Sequence, residues 1–440
     1  MVVDTSARAH AVMASYLRSG NVRRGIVPGN NFIPFRAPKE VILAPANIKD
    51  PADVERVAQQ YKPDIIDVCQ DDALAAGVVD ALQAAGFSVF GPSQAASRVE
   101  WDKEWSRDFM KRNGIPHPKF QVFGEDAVAK EILTSAYRDT PNARYFVKAT
   151  GLCAGKGAIG VSTLEEALAA VKEMGSFGGA GHPFLVEEAM AGEEASFYIV
   201  SDGKTTKRLK SAQDHKTRDN FDAGPNTGGM GAVSPALVVQ RNGLDSAIHY
   251  SIMQRTVRGL ASEGHPYVGV LYGGIMLTND GTSMMPQVVE FNARWGAPEA
   301  EVVVPGIQTP MDEIAQACLI GNLDNLDIVE DSLTRVCVVG ASRGYPDSRL
   351  VSQVKGKQIR GLEDAMRMPN VTVFGAGIHV QDGKFFANGS RLFSLVADGR
   401  DVREARERAL EAMARIYIEG NNLQYRTDIG HHDLERYYGG

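Results

Sequence analysis

Short apolar runs alternate with amphipathic helical stretches through the first hundred residues, and this alternation restricts the possible folds more than any other feature. Asp50 before Pro51 predicts the N-terminus of a helix that extends to about Tyr61, because proline fits the first helical position. The predicted elements that follow are a strand over 65–69, a helix over 73–85 and a strand over 88–90. Strands that alternate with helices favour a parallel, doubly wound sheet, so residues 1–99 are predicted to form an N-terminal α/β domain.

Two further regions are predicted after this domain. The central region begins with a helix over 100–114, and its predicted strands lie at 145–148, 184–188, 196–200, 269–277 and 288–292. The last two strands flank Asn279-Asp280-Gly281, which predicts a hairpin. Residues 211–235 are rich in Gly, Asp, Asn and Pro, which predicts a long functional loop. Beyond it, strands at 335–339, 371–374 and 392–396 precede a helix over 402–419, so residues 330–440 are predicted to form a separate α+β domain.

Charge and cysteine content exclude several functions. The 47 Lys and Arg residues are outnumbered by 54 Asp and Glu residues, and the net charge of -7 argues against general binding to nucleic acid or anionic membrane. The four cysteines form no C-x-x-C pair, which favours a reducing cytoplasm over a disulfide framework or a zinc ribbon. No apolar run approaches the roughly 18 residues that span a membrane, and the N-terminus lacks a secretory pattern. We therefore expect a cytoplasmic, multidomain protein.

A predicted strand that runs into a glycine- and lysine-rich loop, residues 147–157, is the first candidate for a chemical site. Glycines let backbone N–H groups approach a polyphosphate closely, and Lys148 and Lys156 would add positive charge. The spacing is not that of a Walker A loop. A plain hairpin is the alternative for this segment taken alone.

Acidic residues at the ends of two predicted strands form further candidates. Glu187 and Glu188 end an apolar run, and their carboxylates could accept hydrogen bonds from a ribose; a solvated strand end is the alternative. Strand alternation places Glu290, Asn292 and Arg294 on one face. Glu290 and Asn292 offer the oxygen ligands that suit Mg²⁺, although three polar residues could also mark a solvent-facing side.

The segment from 213 to 231 is too polar and too rich in glycine to be a core element. It is also too poor in aromatic residues to suggest stacking on nucleic-acid bases. A substrate-binding loop is the functional interpretation, and a flexible connector is the alternative.

These features, in this order, resemble the ATP-grasp ligases, and among them the glycinamide ribonucleotide synthetase family. The most specific stretch is Gly-Pro-Asn-Thr-Gly-Gly-Met-Gly at 224–231, beside Gln-Asp-His-Lys at 213–216. The resemblance continues through 147–157, 187–196, 271–277, 290–299, 388–391 and 425–431, and so covers nearly the whole chain. It implies an ATP-grasp region over 100–325 with a small mobile lobe at about 118–190.

The resemblance also implies a reaction. ATP would phosphorylate the carboxylate of glycine, and the amine of 5-phosphoribosylamine would attack the glycyl phosphate to give glycinamide ribonucleotide, ADP and phosphate. Mg²⁺ or Mn²⁺ would be required, and a monomer is expected. Catalysis would rest mainly on positioning, charge neutralisation and exclusion of water, because no covalent nucleophile is needed.

Individual residues inherit expected roles from the resemblance. The residues expected to bind ATP are Lys103, Lys148, Gly151, Gly155, Lys156, Gly157, Glu187, Glu188 and Glu194. Glu290 and Asn292 are expected to bind the metal ion. The residues expected to act in catalysis are Arg294, Asp214 and Lys216, and those expected to bind the acceptor substrates are Arg8, His10, Asp214, Asn226, Gly228 and Glu299.

The N-terminal loop departs from the family pattern. In place of Gly-Ser-Gly-Gly-Arg-Glu-His-Ala, residues 4–11 read Asp-Thr-Ser-Ala-Arg-Ala-His-Ala, which keeps Arg8 and His10 and loses the glycines and the Glu. Only three residues precede the loop, so the first strand should be short. We predict that the loop adopts ordinary φ values and grips the sugar phosphate through the hydroxyls of Thr5 and Ser6, through Arg8, and through the following helix N-terminus. Loss of the phosphate site is the alternative.

Two later motifs also differ from the family pattern. Cys-Gln-Asp stands at 69–71 in place of Gly-Pro-Glu, and Arg-Trp-Gly-Ala-Pro-Glu stands at 294–299 in place of Arg-Phe-Gly-Asp-Pro-Glu. Two other functions therefore stay open, namely an ATP-grasp ligase that uses another amine and a catalytically weakened ATP-binding homologue. The changed loop favours the first of these, whereas the intact Lys148, Glu290 and Asn292 argue against the second.

Overall fold

The computed structural model describes residues 1–28, 39–153, 157–279, 281 and 283–438. Within these ranges no helix is both long enough and apolar enough to cross a membrane. The first part of the chain alternates strands and helices, in the order β1 (Val2–Val3), α1 (Ala7–Arg18), β2 (Arg24–Pro28), β3 (Glu40–Ala44), α2 (Pro51–Tyr61), β4 (Ile66–Val68), α3 (Asp71–Ala75), α4 (Val78–Ala84) and β5 (Val89–Phe90).

The strands of this N-terminal part pair in parallel, as the sequence predicts. β4 lies between β1 and β5, and β2 pairs with β3 and contacts β1. Helix α2 begins where expected, because the Asp50 side chain accepts a hydrogen bond from the Ala52 N–H at 3.0 Å. The single helix predicted over 73–85 is wrong: Gly77, at φ 80°, separates α3 from α4.

The next elements form a small sheet covered by two helices. They are α5 (Arg98–Trp101), α6 (Lys103–Arg112), β6 (Phe120–Phe123), α7 (Asp126–Asp139), β7 (Tyr145–Ala149), β8 (Ala158–Val161), α8 (Leu164–Met174) and β9 (Phe184–Glu188). The sheet is antiparallel in the order β6-β9-β7-β8. The single helix predicted over 100–114 is interrupted at Asp102, whose side chain accepts from the Trp105 N–H and caps α6.

A second, longer antiparallel sheet supports the other wall of the central region. Its elements and their neighbours are β10 (Gly192–Asp202), β11 (Thr206–Arg208), β12 (Gln213–Asp214), β13 (Thr217–Asp219), β14 (Ala223–Asn226), β15 (Gly231–Ser234), α9 (Leu237–Arg241), α10 (Asp245–Ile248), α11 (Gln254–Ser262), β16 (Val268–Asn279), β17 (Met284–Asn292), α12 (Ala300–Val303) and α13 (Met311–Leu319). The strand order is β11-β10-β16-β17, and β16 and β17 form the predicted hairpin.

The C-terminal part contributes a third sheet. Its elements are β18 (Thr334–Ser342), α14 (Ser348–Ser352), β19 (Gln358–Arg360), α15 (Leu362–Met366), β20 (Val371–Gly375), β21 (Ile378–Gln381), β22 (Lys384–Ala387), β23 (Arg391–Gly399), α16 (Val402–Met413), β24 (Tyr417–Ile418), β25 (Leu423–Gln424) and α17 (His431–Tyr438). The helix predicted over 402–419 therefore ends earlier, at Met413, and β24 follows it.

The prediction of a continuous loop over 211–235 is wrong, because this segment contains four short strands. Two of them, β12 and β15, extend the C-terminal sheet in the order β12-β15-β18-β23-β20, with β25 also paired to β18. The glycine-rich segment is thereby attached to the C-terminal part by backbone hydrogen bonds. This sheet crosses the boundary that the sequence places near residue 330.

Candidate active site

Cationic side chains surround the Glu290 carboxylate near the end of β17. They come from four separate parts of the chain, as Lys216, Lys103, Lys148 and Arg294. Burial by itself would raise the pKa of Glu290, but these positive charges outweigh burial and hold the pKa below its usual value. Such a concentration of positive charge around one carboxylate is the electrostatic environment that a metal-bound polyphosphate requires.

Glu290 and Asn292 provide oxygen atoms at this position. They lie opposite Gly274 and Tyr272 of β16, two residues apart on the same face of β17. Asn292 is buried, and its Nδ2 has no hydrogen-bond partner among the described residues. A buried N–H donor without a partner is costly unless an acceptor such as a phosphate oxygen engages it. The oxygen atoms of Glu290 and Asn292 are the kind of ligand that a hard divalent cation prefers.

Lys216 is held beside this pair by Glu194. The Lys216 Nζ lies 2.5 Å from Glu194 Oε1, and Glu194 is on β10, next to β16. Burial opposes the charged ammonium, but Glu194, Glu290 and Asp214 raise the pKa of Lys216 above its usual value. The ammonium therefore stays charged across the physiological range.

Lys148 on β7 is fixed by a buried ion-pair network. Its Nζ lies 2.6 Å from Glu187 Oε2, and Arg107 of α6 donates to both oxygens of Glu187, at 2.5 and 3.0 Å. Arg107 also donates to the carbonyl of Val289 on β17 at 2.6 Å. The network ties the small sheet to the long sheet and places the Lys148 ammonium between them. Glu187, which was expected near adenosine, is thus already ion-paired with both Arg107 and Lys148.

Lys103 connects the start of α6 to the glycine-rich loop. Its backbone N–H donates to the Thr150 carbonyl at 2.9 Å, and its Nζ donates to the Gly151 carbonyl at 3.3 Å. The Gly157 carbonyl accepts from the Ala149 N–H at 2.7 Å. The structure thus places Lys103, Gly151 and Gly157 together, whereas Gly155 and Lys156 lie outside the described residues.

A cavity of about 300 Å³ lies beside the small sheet. Its walls include Phe146 of β7, Gly160 of β8, and Gly224 and Asn226 from the glycine-rich segment. Phe146 is two residues from Lys148, whose Nζ lies 5.4 Å from the centre of the Phe146 ring. The volume is within the range of small-ligand pockets. Asn226 therefore faces the small sheet. Glu188, also expected to bind ATP, is exposed, and its Oε1 lies 3.4 Å from Lys119 Nζ.

Two arginines meet at the carbonyl of Trp295 on the N-terminal side of the site. Arg8 donates to this oxygen at 2.8 Å and Arg294 at 3.0 Å. The Arg294 Nη2 also lies 2.8 Å from Glu100 Oε1 and 3.5 Å from Asp71 Oδ2. Burial disfavours the charge on Arg294, but these two carboxylates raise its pKa. Arg294 is therefore a buried, permanently charged group beside Glu290.

The N-terminal turn has the ordinary backbone geometry predicted for it, since Thr5, Ser6 and Ala7 have no positive φ. Its donors, however, converge on the turn's own Asp4. The N–H groups of Thr5 and Ser6 donate to Asp4 Oδ1 at 2.6 and 2.9 Å, the Ser6 hydroxyl donates to Oδ2 at 3.2 Å, and Arg8 Nε contacts Oδ2. A phosphate gripped here would have to displace this carboxylate.

His10 lies on α1 against the C-terminal sheet. Its Nδ1 accepts from the Gly375 N–H at 3.0 Å, and its ring packs edge-on against Phe374. Burial lowers the pKa of His10 to about 3, so the ring is neutral. The structure thus joins His10 to β20, and does not bring it together with Arg8.

Asp214 and Glu299 form an acidic patch next to Lys216. Asp214 Oδ1 is buried without a hydrogen-bond partner among the described residues, and Glu299 accepts from the Ser196 hydroxyl at 3.0 Å. Burial and the charge of Glu299 raise the pKa of Asp214 well above its usual value. A bound cation would relieve both effects, so the patch suits an ammonium group.

Gly228 is fixed to the C-terminal part of the chain. Its N–H donates to the Tyr345 hydroxyl at 2.7 Å, and its carbonyl accepts from Arg391, which also donates to the Ala297 carbonyl at 2.9 Å. A Cβ at this position would lie 3.0 Å from the Tyr345 oxygen. A larger residue here would therefore require the Tyr345 side chain to shift slightly.

Sequence reasoning missed three residues that position this site. Arg107 and Glu100 sit on helices whose charge pattern looks like an ordinary solvent-exposed face, and no local signal marks them as partners of Glu187 and Arg294. Arg391 belongs to a stretch recognised only through the resemblance. One signal that could have found the first two is the Trp- and Arg-rich composition of 98–112, which is unusual for a solvated helix.

A small sheet that carries Lys148, joined through Glu187 and Arg107 to the strand that carries Glu290 and Asn292, fits an ATP-dependent ligase of the ATP-grasp class. Three parts of the chain match the phosphoribosylglycinamide synthetase N domain, ATP-grasp (A) domain and C domain, over residues 1–100, 101–300 and 335–432. The chain therefore belongs to the phosphoribosylglycinamide synthetase family.

Individual relatives agree with this assignment. A phosphoribosylamine–glycine ligase of Ralstonia nicotianae is 37% identical over 440 residues, which cover 99% of both chains. A trifunctional purine biosynthetic protein of Drosophila pseudoobscura pseudoobscura is also 37% identical, but the chain spans only 31% of its length. The crystal structure of a phosphoribosylamine–glycine ligase from Thermotoga maritima matches with a TM-score of 0.77 and 28% identity, covering 97% of this chain and 99% of that one.

Proposed function

We propose that the protein joins glycine to 5-phosphoribosylamine, with ATP converted to ADP and phosphate through a glycyl phosphate intermediate. The convergence of Lys103, Lys148, Lys216 and Arg294 on Glu290 carries this proposal, because it provides a place where a γ-phosphoryl group can be transferred to a carboxylate. Full-length relatives named as this ligase favour it over an ATP-grasp ligase with another amine. The retained Glu290 and Asn292 argue against a weakened homologue.

ATP would bind between the two sheets. We assign its phosphates to Lys148, Lys103 and the loop at 151–157, which includes Gly151, Gly155, Lys156 and Gly157. The cavity beside Phe146 would take the nucleoside, with Asn226 in its wall. The Glu187–Arg107 network would act indirectly, by holding the Lys148 ammonium in place.

A divalent metal ion would be held by Glu290 and Asn292. The donor set consists of oxygen atoms, which suits Mg²⁺ or Mn²⁺ better than softer metals. When bound, the ion would neutralise phosphate charge and orient the γ-phosphoryl group. Glu194 would keep the Lys216 ammonium directed at the same phosphates.

Glycine and the acceptor amine would bind on the opposite side of Glu290. We assign the glycine ammonium to the patch of Asp214 and Glu299, where the positive charge would offset the buried carboxyls. Arg294 would then lie beside the glycine carboxylate. Arg8 and the N-terminal turn would bind the sugar phosphate, which would compete with Asp4 for Arg8. Gly228 would fix its own segment to the C-terminal part of the chain, and His10 would hold α1 against β20.

An ADP-release assay tests this function. With ATP, Mg²⁺, glycine and freshly generated phosphoribosylamine, release should be rapid, and omission of either glycine or phosphoribosylamine should abolish sustained turnover. Product analysis by mass spectrometry should show glycinamide ribonucleotide. Turnover with another amine, but not with phosphoribosylamine, would instead favour the rival ligase.

We further propose a cytoplasmic monomer that binds neither nucleic acid nor membrane. The thiols of Cys69, Cys153, Cys318 and Cys337 are free, which suits a reducing compartment. The exposed large apolar side chains of the described residues lie on many different elements, from Leu43 to Tyr417. Sedimentation should give the monomer mass of 47.5 kDa; a dimer mass at micromolar concentration would contradict the proposal.

A further inference from the structure

A histidine cluster lies apart from the ATP site, where the C-terminal helix meets the glycine-rich segment. It consists of Asp222, at the start of β14, and His431 and His432, at the start of α17. One potential ligand atom from each residue lies within 4.8 Å of the others. None of the three contributes to the proposed reaction.

The distances in the histidine cluster fit a metal ion. His432 Nε2 lies 2.8 Å and His431 Nε2 lies 3.5 Å from the same oxygen, Asp222 Oδ2. A metal ion with bonds of about 2.0–2.2 Å in tetrahedral geometry separates its ligand atoms by roughly 3.3 Å. Small side-chain adjustments would therefore bring all three atoms into coordination.

Neighbouring groups orient these ligands, as the outer hydrogen-bond partners of a metal site usually do. Asp428 Oδ2 lies 3.4 Å from His431 Nδ1, which makes no hydrogen bond among the described residues, so an acceptor carboxylate is close to the ring nitrogen opposite the one that faces Asp222. Arg426 donates to Asp222 Oδ1 at 3.0 Å and leaves Oδ2 for the histidines. His215 accepts from the Gly430 N–H through Nε2, so its Nδ1 carries the proton and faces Asp222 Oδ1 at 3.9 Å.

The charge balance permits a dication. With neutral imidazoles, the two carboxylates of Asp222 and Asp428 exceed the single guanidinium of Arg426 by one negative charge. Arg436 neutralises one further carboxylate, because it pairs with both Glu193 and Asp433, and Asp433 is 2.9 Å from it. Asp222 is 40% exposed at its side chain, so an ion could enter from solvent.

We propose that Asp222, His431 and His432 form a second metal site, which binds a borderline transition-metal dication such as Zn²⁺ or Co²⁺. Two imidazoles and one carboxylate favour such ions over Mg²⁺. The ion would clip the segment 217–226 to the C-terminal helix and leave one coordination position for water. Its three ligands are residues to which the proposed ligase reaction assigns no role, so the metal-binding test and the ADP-release assay can fail separately.

Cobalt titration of the full-length, chelator-treated protein tests the site. Excess Mg²⁺ and ADP should be present throughout, so that Glu290 and Asn292 are saturated. Visible d–d absorption bands typical of four- or five-coordinate Co²⁺ should appear at one equivalent and disappear when Zn²⁺ is added. Asp222→Asn and His432→Gln should each weaken Co²⁺ binding at least about tenfold.

Matched control variants distinguish this site from Co²⁺ binding elsewhere on the protein. His379 is an exposed histidine on β21, so His379→Gln should bind Co²⁺ like the wild type, and Glu290→Gln should do the same. If a cluster variant is poorly folded by circular dichroism, His431→Gln replaces it in the comparison. An unchanged cobalt spectrum in folded cluster variants, or no binding below millimolar Co²⁺ in the wild type, would overturn the proposal.

Discussion

Replacement of Glu187 by glutamine distinguishes a positioning role for this carboxylate from contact with adenosine. Its side chain is 2% exposed and lies between Arg107 and Lys148, with the shortest contacts at 2.5 and 2.6 Å. The resemblance to ATP-grasp ligases places Glu187 around the adenosine pocket instead. The two interpretations predict different losses, because one concerns folding and the placement of Lys148 and the other concerns ATP affinity.

The magnitude follows from the charge environment of Glu187. Burial opposes ionisation, but Arg107 and Lys148 outweigh burial and lower the pKa of Glu187 from 4.5 to about 2. This depression corresponds to about 3 kcal/mol of stabilisation. Because the folded-state pKa is the lower one, the stabilisation is fully present above pH 4.5 and is lost as the pH falls toward 2. Glutamine also leaves two cations without a carboxylate, so a total cost of about 3–5 kcal/mol is expected.

Urea unfolding at pH 7, combined with steady-state kinetics, measures this effect. Glu187→Gln should lower the free energy of unfolding by about 3–5 kcal/mol in the first transition, and it should lower kcat at least about tenfold, because Lys148 is no longer fixed. Glu188→Gln is the matched control, since Glu188 is exposed and its effect should stay within about 0.5 kcal/mol. Wild-type stability of Glu187→Gln with only a raised KM for ATP would show that the carboxylate contacts adenosine.

Three further predictions concern the reaction. Lys148→Ala and Glu290→Ala should each lower turnover at least about 10²-fold with an unchanged circular dichroism spectrum, since each removes a charge that faces the transferred phosphoryl group; near-normal ADP release would contradict the assignment. Excess EDTA should abolish activity and a zinc-selective chelator should not, because oxygen ligands favour Mg²⁺ or Mn²⁺. Arg8→Ala should raise the KM for phosphoribosylamine at least about tenfold and change the KM for ATP little. Asp4→Asn should lower the KM for phosphoribosylamine about threefold, because it removes the charge of the anion that competes for Arg8. A higher KM in Asp4→Asn would show that Asp4 supports the substrate site.

Local patterns predicted the elements of the fold well where the signal was local. The Asp50 cap, the alternation through β1 to β5 and the β16–β17 hairpin all follow from residues close together in sequence. The split of the helix at Gly77 was missed although a glycine at positive φ is a local feature. The short strands within 211–235 were missed because tertiary pairing overrides weak local propensity. Strand β15 pairs with β18, which lies about a hundred residues later in the sequence, and hydrophobic periodicity cannot identify so distant a partner.

In the candidate site, too, local features could be predicted from the sequence, whereas contacts between distant residues could not. The polar face of β17 and the lysine of β7 could be predicted from alternation and glycine content. Their electrostatic partners could not, because Arg107 and Glu187 are separated by 80 residues and Glu100 and Ala293 by 193. Sequence can therefore nominate the charged groups of a site, whereas the structure decides which of them face substrate and which are neutralised by the protein.

The N-terminal turn lacks the glycines of the family pattern and binds an internal carboxylate instead. Glycines in an anion-binding turn serve to direct N–H groups toward a phosphate that arrives with the substrate. In this chain the turn keeps ordinary φ values, and its N–H groups and Arg8 are directed toward Asp4, an anion that is covalently part of the loop. The glycines are then unnecessary, since the internal carboxylate organises the turn during folding. If the turn binds the sugar phosphate as proposed, acceptor binding would exchange one anion for another, and the affinity for the sugar phosphate would depend on how readily Asp4 releases Arg8.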